Sequence, residues 1–593
     1  MAPDNLDTAQ LVDVSVAAEL YRVSQSTIRS WRRRSAEWLP DPVATLNGGS
    51  VWRRSEVESK AAQYHLETDL HRTAAGNARR RAQGSYYTSA DTAHFLADWL
   101  LANEAKKILE PSFGDGIFIA AIREQARRRG LERPDWLAVE LDEDAIRAAA
   151  SNVDLMPHEV RQADFLSLKP QLVDAVIANP PYVRLRHLDS RSAEVAQQAV
   201  RSAVGASLSP AASVWLPFLI HAVQFLRRDG VLAMVLPSDF TYVAYARKYW
   251  KWLGDTFSTV SVLRVRERLF PDINQDVVLL LCTGKGGRSE QVAFKAFDTI
   301  ADLLAEQPSV DADISVKEIL GGDRVFQRAL AGSDAWAMLE QEFPHLLVRA
   351  DQLMKFRIGY VAGDKRYFHP DAEAIKKFRL PPTSLVPTLT NARRLRGAGL
   401  KTASLPEGAV DSLWWPSNDE LSPGEHAYIN YGVEFGVSSG YKASRRVPWY
   451  RVPTVKVPDV VLTVFSENPL LLINDGHLQA SNSLLCGYSQ GVDAEQFALD
   501  WYSPITELSV ATEVHALGGG VMILVPNEAN AVHLARLGRS AEDLGRIERA
   551  LEAGDVRAAY ETGGEALRLA IGEDNSRLVE TSIDRLRRWR QRA

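Results

Sequence analysis

The chain has 593 residues, 46% apolar and 24% charged, with a net charge of −6 and two cysteines. One hydrophobic core does not extend over that length, so about three or four domains are expected. Cys282 and Cys486 offer neither a disulfide framework nor a zinc spacing. No apolar run approaches the ~18 residues of a membrane helix, and the start MAPDNLDTAQ lacks signal-peptide character, so a cytoplasmic protein without a metal site or membrane contact is expected.

In chain order, the first segment reads VSVAAELYRVSQSTIRSWRRR. Ser15 is placed to cap a short helix carrying Ala17, Ala18 and Leu20, and Ser24 a second helix with Ile28 and Trp31 on one face. Asn47-Gly48 is a hairpin signal, Val51-Trp52 a strand, and Ser55 with Glu58 a capping box that opens another helix. This order resembles the winged helix-turn-helix of MerR-type and excisionase-type DNA binders. The resemblance implies a DNA-binding domain over residues 1–75, with Arg29, Arg32 and Arg33 of the basic second helix facing DNA.

Residues 76–315 alternate strand and helix patterns. Ser89 is expected to cap a helix lined by Ala93, Leu96, Ala97, Leu100 and Leu101, and GIFIAAIREQARRRG reads as another helix. KILE, DWLAVEL, DAVIA, GVLAMVLP, TVSVLRV and DVVLLLC read as strands, and PFLIHAVQFLRRDG as a helix between two of them. Such alternation predicts an α/β core built on a mixed, mostly parallel sheet. Residues 316–526 turn proline-dotted and aromatic-rich, which predicts a second, α+β domain of short strands and long loops. Residues 527–593 are helical in pattern.

Four strand ends carry chemistry. The strand KILE ends in Glu110 and runs into a turn with Pro111, Gly114 and Gly116 before a helix, so a ligand can approach the backbone there. An acid at that point repels pyrophosphate and suits a ligand with a positive charge. The next strand ends in Glu140, spaced to grip ribose hydroxyls. Asp164 is a candidate acceptor for an adenine amino group and Phe165 a ring to pack on its face. The fourth end is Asn179-Pro180-Pro181-Tyr182, where two prolines fix the backbone and remove two N–H donors.

The ordered series GSYYTS, LEPSFGDG, VELD, ADF, NPPY resembles the γ-class N6-adenine DNA methyltransferases of restriction-modification systems. That implies a Rossmann-like core using S-adenosyl-L-methionine, followed by a target-recognition domain, with double-stranded DNA as substrate and a separate cognate restriction endonuclease as functional partner. By the resemblance, Tyr87 and Thr88 contact the methionine end of the donor, Glu110, Pro111, Gly114 and Gly116 line its ammonium and sulfonium side, Glu140 holds ribose, and Asp164 with Phe165 holds adenine. Ser89 stands where the family often has Pro, and Glu110 where it often has Asp.

The amino group of adenine is a poor nucleophile because its lone pair is delocalised into the ring. Asn179 offers a side-chain carbonyl and Pro180 a backbone carbonyl to its two N–H bonds, held by a stiff turn. Tyr182 offers a ring for a base flipped from the duplex, with Tyr245 on the other face and Phe240 or Tyr242 as substitutes. Lys365, Arg366, Arg393, Arg394, Arg446 and Trp449 are candidate DNA contacts of the recognition domain. Competing functions are N4-cytosine methylation, protein glutamine methylation by the chemistry of the release-factor-modifying family, and a DNA-binding regulator with an inactive methyltransferase fold.

Overall fold

The computed structural model describes residues 11–21, 28, 32, 39–40, 42–46, 49–58, 60–61 and 88–590, apart from 151–152, 154, 210–211, 270–275, 323, 407, 417–419, 454–455, 467 and 518–520. The chain divides into two compact units, Met1–Tyr86 and Tyr87–Ala593.

In the first unit, strands Leu11–Val12, Ala44–Leu46 and Gly49–Arg53 form an antiparallel sheet with the last of them central. Leu46 pairs with Gly49, and Asn47 and Gly48 lie outside the described residues. The first helix is Val14–Tyr21, and Asp13 rather than Ser15 caps it, accepting from the N–H groups of Ser15 at 2.8 Å and Val16 at 2.9 Å. A carboxylate one residue before the helix reaches those donors better than a serine inside it. Trp52 is buried among Ala17, Ala18, Tyr21 and Ile28, and its indole N–H donates to the Pro40 carbonyl at 2.9 Å. Ser24, Arg29, Trp31 and Arg33 lie outside the described residues, and Arg32 is exposed on a helical turn.

The second unit is built on a nine-stranded sheet. Its strands are β1 (Lys107–Glu110), β2 (Asp135–Glu140), β3 (Val160–Gln162), β4 (Val173–Ala178), β5 (Leu226–Pro237), β6 (Phe257–Val265), β7 (Val277–Lys285), β8 (Gln291–Phe297) and β9 (Val310–Ser315). Their order is β9-β8-β6-β7-β5-β4-β1-β2-β3. The run β3-β2-β1-β4-β5 is parallel, whereas β7 is antiparallel to both its neighbours and β9 to β8.

Alternation along each strand explains the layering. Leu109, Val139, Val176, Met234 and Leu280 enter one core, while their neighbours Ile108, Ala138, Ile177, Val235 and Leu281 enter another. Both faces are therefore apolar, which fits a parallel sheet covered by helices on each side. Helices α1 (Ala90–Ala102) and α2 (Ile117–Arg128) cover the second face; α4 (Ser190–Val204), α5 (Trp215–Phe225) and α6 (Arg247–Gly254) cover the first, and α3 (Glu143–Ala150) follows β2. Ser89 caps α1 as expected, accepting from the Thr92 N–H at 3.4 Å.

Helix α5 stops at Phe225, short of the expected LRRDG, because β5 has already begun at Leu226. The register slips between Val173–Leu226 and Ala175–Val231, and the bulge turns on Asp229 at φ 60°. Gly230 completes it: an added Cβ would sit 2.9 Å from the Arg227 carbonyl and 3.0 Å from that of Asp174.

Beyond β9 the chain builds a four-stranded antiparallel sheet from Met354–Ile358, Leu484–Ser489, Val460–Thr463 and Leu471–Ile473, with its own core. Among the C-terminal helices, Leu567, Ile571, Val579, Ile583 and Leu586 pack in one cluster with β4, β5, β7 and α5. Among the described residues no helix is long and apolar enough to cross a membrane, and no group of three metal-ligating side chains occurs.

Candidate active site at the carboxyl ends of the strands

Strand order reverses between β1 and β4: the chain runs outward from β1 to β3, then returns to β4 on the other side. The ends of adjacent parallel strands at such a reversal open a ligand crevice. Leu109 pairs with Val176, so Glu110 and Asn179 leave the same end of the sheet from neighbouring strands.

Glu110 is 2% exposed, and one of its carboxylate oxygens, Oε2, is buried with no hydrogen-bond partner among the described residues. Desolvation, reinforced by the negative charges of Asp115 and Glu140, pushes its carboxyl well above the ordinary range. An acid buried beside two others is costly for a fold to keep, and a cationic ligand group at Oε2 removes the cost. This orphaned oxygen fits the ammonium of an amino-acid moiety.

The turn after Glu110 lifts the chain over this acid. Gly114 has φ 53° and Gly116 φ 79°, both left-handed. The Gly114 N–H donates to Glu140 Oε2 at 3.0 Å, while Oε1 of Glu140 accepts from the N–H groups of Leu141 at 2.8 Å and Asp142 at 3.0 Å. Glu140 thus locks the glycine turn to the end of β2. The two glycines differ in surroundings. A Cβ on Gly116 would lie 2.9 Å from Val153 Cγ2, whereas one on Gly114 would meet nothing within 4 Å. Gly116→Ala is expected to cost about 2 kcal/mol or more from backbone strain plus overpacking, and Gly114→Ala about 1 kcal/mol from strain alone. Thermal unfolding of the two variants checks the difference; equal losses would contradict it.

Asp164 accepts from the Leu166 N–H at 3.0 Å, capping the one-turn helix Phe165–Ser167. Phe165 departs from expectation. Its ring is 2% exposed and packs against Phe218, His221 and Phe225 at centroid distances of 5.2, 4.9 and 5.3 Å. It is a core ring that anchors the Asp164 turn, not an open face, because aromatic neighbours on α5 claim its surface.

The Asn-Pro-Pro-Tyr turn is held at several points. Asn179 Nδ2 donates to Thr88 Oγ1 at 3.3 Å, and Asn179 Oδ1 accepts from the Tyr182 hydroxyl at 2.9 Å. That hydroxyl also lies 3.0 Å from the Val235 carbonyl of β5, and Ser112 Oγ lies 3.4 Å from the Asn179 carbonyl. Asn179 and Tyr182 are half-buried, Pro180 and Thr88 buried. Tyr87 lies outside the described residues.

A second wall follows β5. Phe240 is buried and stacked on Trp250 at 4.1 Å, and Tyr242 donates to Asp239 at 2.7 Å with the Arg324 guanidinium 4.6 Å from its ring. Both substitutes for base stacking are therefore committed elsewhere. Tyr245 stays half-buried, its hydroxyl 3.5 Å from Arg184 Nη1. Arg184 also pairs with Asp239 at 3.4 Å, tying the exit of the Asn-Pro-Pro-Tyr turn to the loop carrying Tyr245. Arg184, Asp239 and Ser112 were not singled out from sequence; the signal for Arg184 was its place two residues beyond a rigid turn.

The expected DNA contacts divide. Lys365, Arg366 and Arg393 are exposed, and Arg394 pairs with Asp411 at 2.7 Å. Arg446 donates to the backbone carbonyls of Ala362 at 2.9 Å and Val361 at 2.5 Å, and burial pulls its pKa below the ordinary arginine value. Trp449 packs on Tyr367 at 5.5 Å. These last two hold the domain together.

Residues 138–268 match the Eco57I restriction-modification methylase family, and residues 332–567 match the C-terminal domain of type II methyltransferase M.Eco57I. The chain is 21% identical over 483 residues to type II methyltransferase M.AccI of Acinetobacter calcoaceticus, covering 77% of this chain and 86% of the relative. It is 24% identical over 537 residues to type II methyltransferase M.PaeR7I of Pseudomonas aeruginosa, covering 78% and 88%. The DNA-bound structure of the type IIL restriction-modification enzyme MmeI shares the fold, with a TM-score of 0.53 at 12% identity over 91% of this chain and 85% of that one. Together these matches make the chain similar, over most of its length, to type II restriction-modification methylases of the Eco57I kind.

Proposed function

We propose that this protein methylates the N6 amino group of a flipped-out adenine in double-stranded DNA, with S-adenosyl-L-methionine as donor, protecting that DNA from a separate cognate restriction endonuclease. The observation that carries the reading is the buried, unpartnered Glu110 oxygen at the same sheet edge as Asn-Pro-Pro-Tyr.

The donor supplies a methyl group already activated on a sulfonium. Glu110 would hold its ammonium, Glu140 its ribose hydroxyls and Asp164 its adenine amino group, with Thr88, Pro111, Gly114 and Gly116 lining the approach. Glu140 keeps its three backbone contacts in doing so, and about one of the four acceptor sites on its carboxylate is left for a ribose hydroxyl.

An amide oxygen has two lone pairs, so Asn179 Oδ1 can bind an amine N–H as well as the Tyr182 hydroxyl it accepts from. The Pro180 carbonyl takes the second N–H. Two acceptors set in a rigid turn favour the nitrogen as it becomes positive during attack, with little reorganisation. As the N–C bond forms, the S–C bond would break and release a neutral thioether, and the surplus proton would then pass to solvent, so positioning suffices without a strong general base. Tyr182, fixed by its hydroxyl to Asn179 and β5, would stack on one face of the base and Tyr245 on the other. Asn rather than Ser before Pro-Pro-Tyr supports adenine over cytosine. The first unit, with Arg32 exposed, would add DNA affinity or regulation.

Long-read sequencing of DNA from cells expressing the protein tests this directly. N6-methyladenine at one recurring sequence is expected. N4-methylcytosine would replace the base assignment, and unmodified DNA together with labelled protein in extracts would overturn it.

A further inference from the structure

We infer that residues 433–447, with the turn at 363–366, form a duplex-DNA contact surface of the C-terminal half, in which Tyr441, Arg445 and Val447 meet the DNA. The inference rests on the function proposed above.

Soluble proteins seldom expose large apolar side chains in a cluster. Here Phe435, Tyr441 and Val447 are all exposed, Val447 fully so. They do not form a greasy patch. The Arg445 guanidinium carbon lies 3.9 Å from the centre of the Tyr441 ring, its Nη1 donates to the Tyr441 hydroxyl, and the Lys442 ammonium is 5.5 Å from the same ring. Residues 433–447 hold three basic side chains, Lys442, Arg445 and Arg446, against one acid, Glu434. Exposed rings interleaved with cations match a phosphate backbone flanked by stacked bases, and match an apolar protein groove poorly.

The segment is presented rigidly. Ala443 is buried, and Arg446 pins the segment to the carbonyls of Val361 and Ala362. Beneath lies a separate aromatic core in which Tyr367 and Tyr428 stack at 4.6 Å with an interplanar angle of 5°. A Cβ on Gly363 would lie 3.3 Å from Lys442 Cβ, so the exposed Lys365 and Arg366 adjoin the same surface. With Arg446 holding the base of the loop, Val447 stands out two residues from the exposed Arg445, the arrangement of an apolar wedge that enters a groove while a neighbouring cation takes a phosphate.

The test is duplex binding by fluorescence anisotropy with the full chain. A labelled duplex bearing the methylated sequence is compared with a scrambled one, for wild type, Arg445→Ala, Tyr441→Ala and Val447→Asp. All three side chains are exposed, and unchanged melting together with unchanged affinity for the methyl donor shows that the variants are folded. Each is expected to weaken binding about ten-fold, and Arg445→Ala to lower the salt-dependence slope by about one. Wild-type duplex affinity in all three variants would overturn the surface while leaving the methylase reading intact. A wild-type protein that binds no duplex would overturn both.

Discussion

Replacing Asn179 by alanine is expected to slow methyl transfer by about 100- to 1,000-fold, the scale of deleting one preorganised electrostatic contact to a transition state. Affinity for the methyl donor should stay within a few-fold, because the acid that would hold its ammonium, Glu110, sits on the neighbouring strand and its Oε2 has no partner among the described residues. The side chain is fixed at both ends, by Thr88 through Nδ2 and by Tyr182 through Oδ1. Alanine removes the acceptor and both tethers at once. Tyr182→Phe separates these effects: it deletes one tether and keeps both the acceptor and the ring, so transfer should fall far less. Single-turnover transfer of tritium to duplex DNA, paired with donor titration, reads both quantities. Normal turnover in Asn179→Ala would remove the amine-acceptor role and with it the proposed chemistry.

What the sequence revealed follows the range of the interactions involved. Strand ends, the Ser89 cap and the glycine turn are written in neighbouring residues, so Glu110, Glu140, Asp164 and Asn179 could be placed on one edge from pattern alone. Side-chain destinations depend on partners far along the chain. Phe165 looks like a ligand-facing ring until Phe218, His221 and Phe225 close on it from α5. Arg446 looks like a phosphate clamp until it finds the Val361 and Ala362 carbonyls, 85 and 84 residues earlier. The early end of α5 was hidden for a different reason: LRRDG continues a helical composition, and only pairing of Leu226 with Val173 turns it into strand. The C-terminal helices gave no local sign that Leu567 and Ile583 join the core on one face of the nine-stranded sheet.

Glu110→Gln is expected to trade affinity for stability. In the ligand-free protein burial and the charges of Asp115 and Glu140 raise the folded-state pKa of this carboxyl. The folded state then holds the proton more tightly than the unfolded chain, so stability is full below the ordinary glutamate pKa of ~4.3 and declines as pH rises through the window up to the raised value. Glutamine carries no charge to desolvate. The variant should therefore melt above wild type at neutral pH, and the gap should close as pH is lowered toward 4, where both side chains are neutral. A buried amide still lacks partners, which limits the gain, but an unpaired amide costs less than an unpaired charge. Binding moves the opposite way. A cation placed at Oε2 loses its counter-charge, and removal of one partner of a buried pair costs about 3 kcal/mol or more, so donor affinity should fall about 100-fold or more. Melting curves from pH 4 to 8, with and without the methyl donor, check both halves. Because bound donor should stabilise wild type and hardly affect the variant, their order of melting should invert at saturating donor. Parallel curves with equal donor shifts would mean that Glu110 is a structural acid, and that the positive group of the donor is held somewhere else.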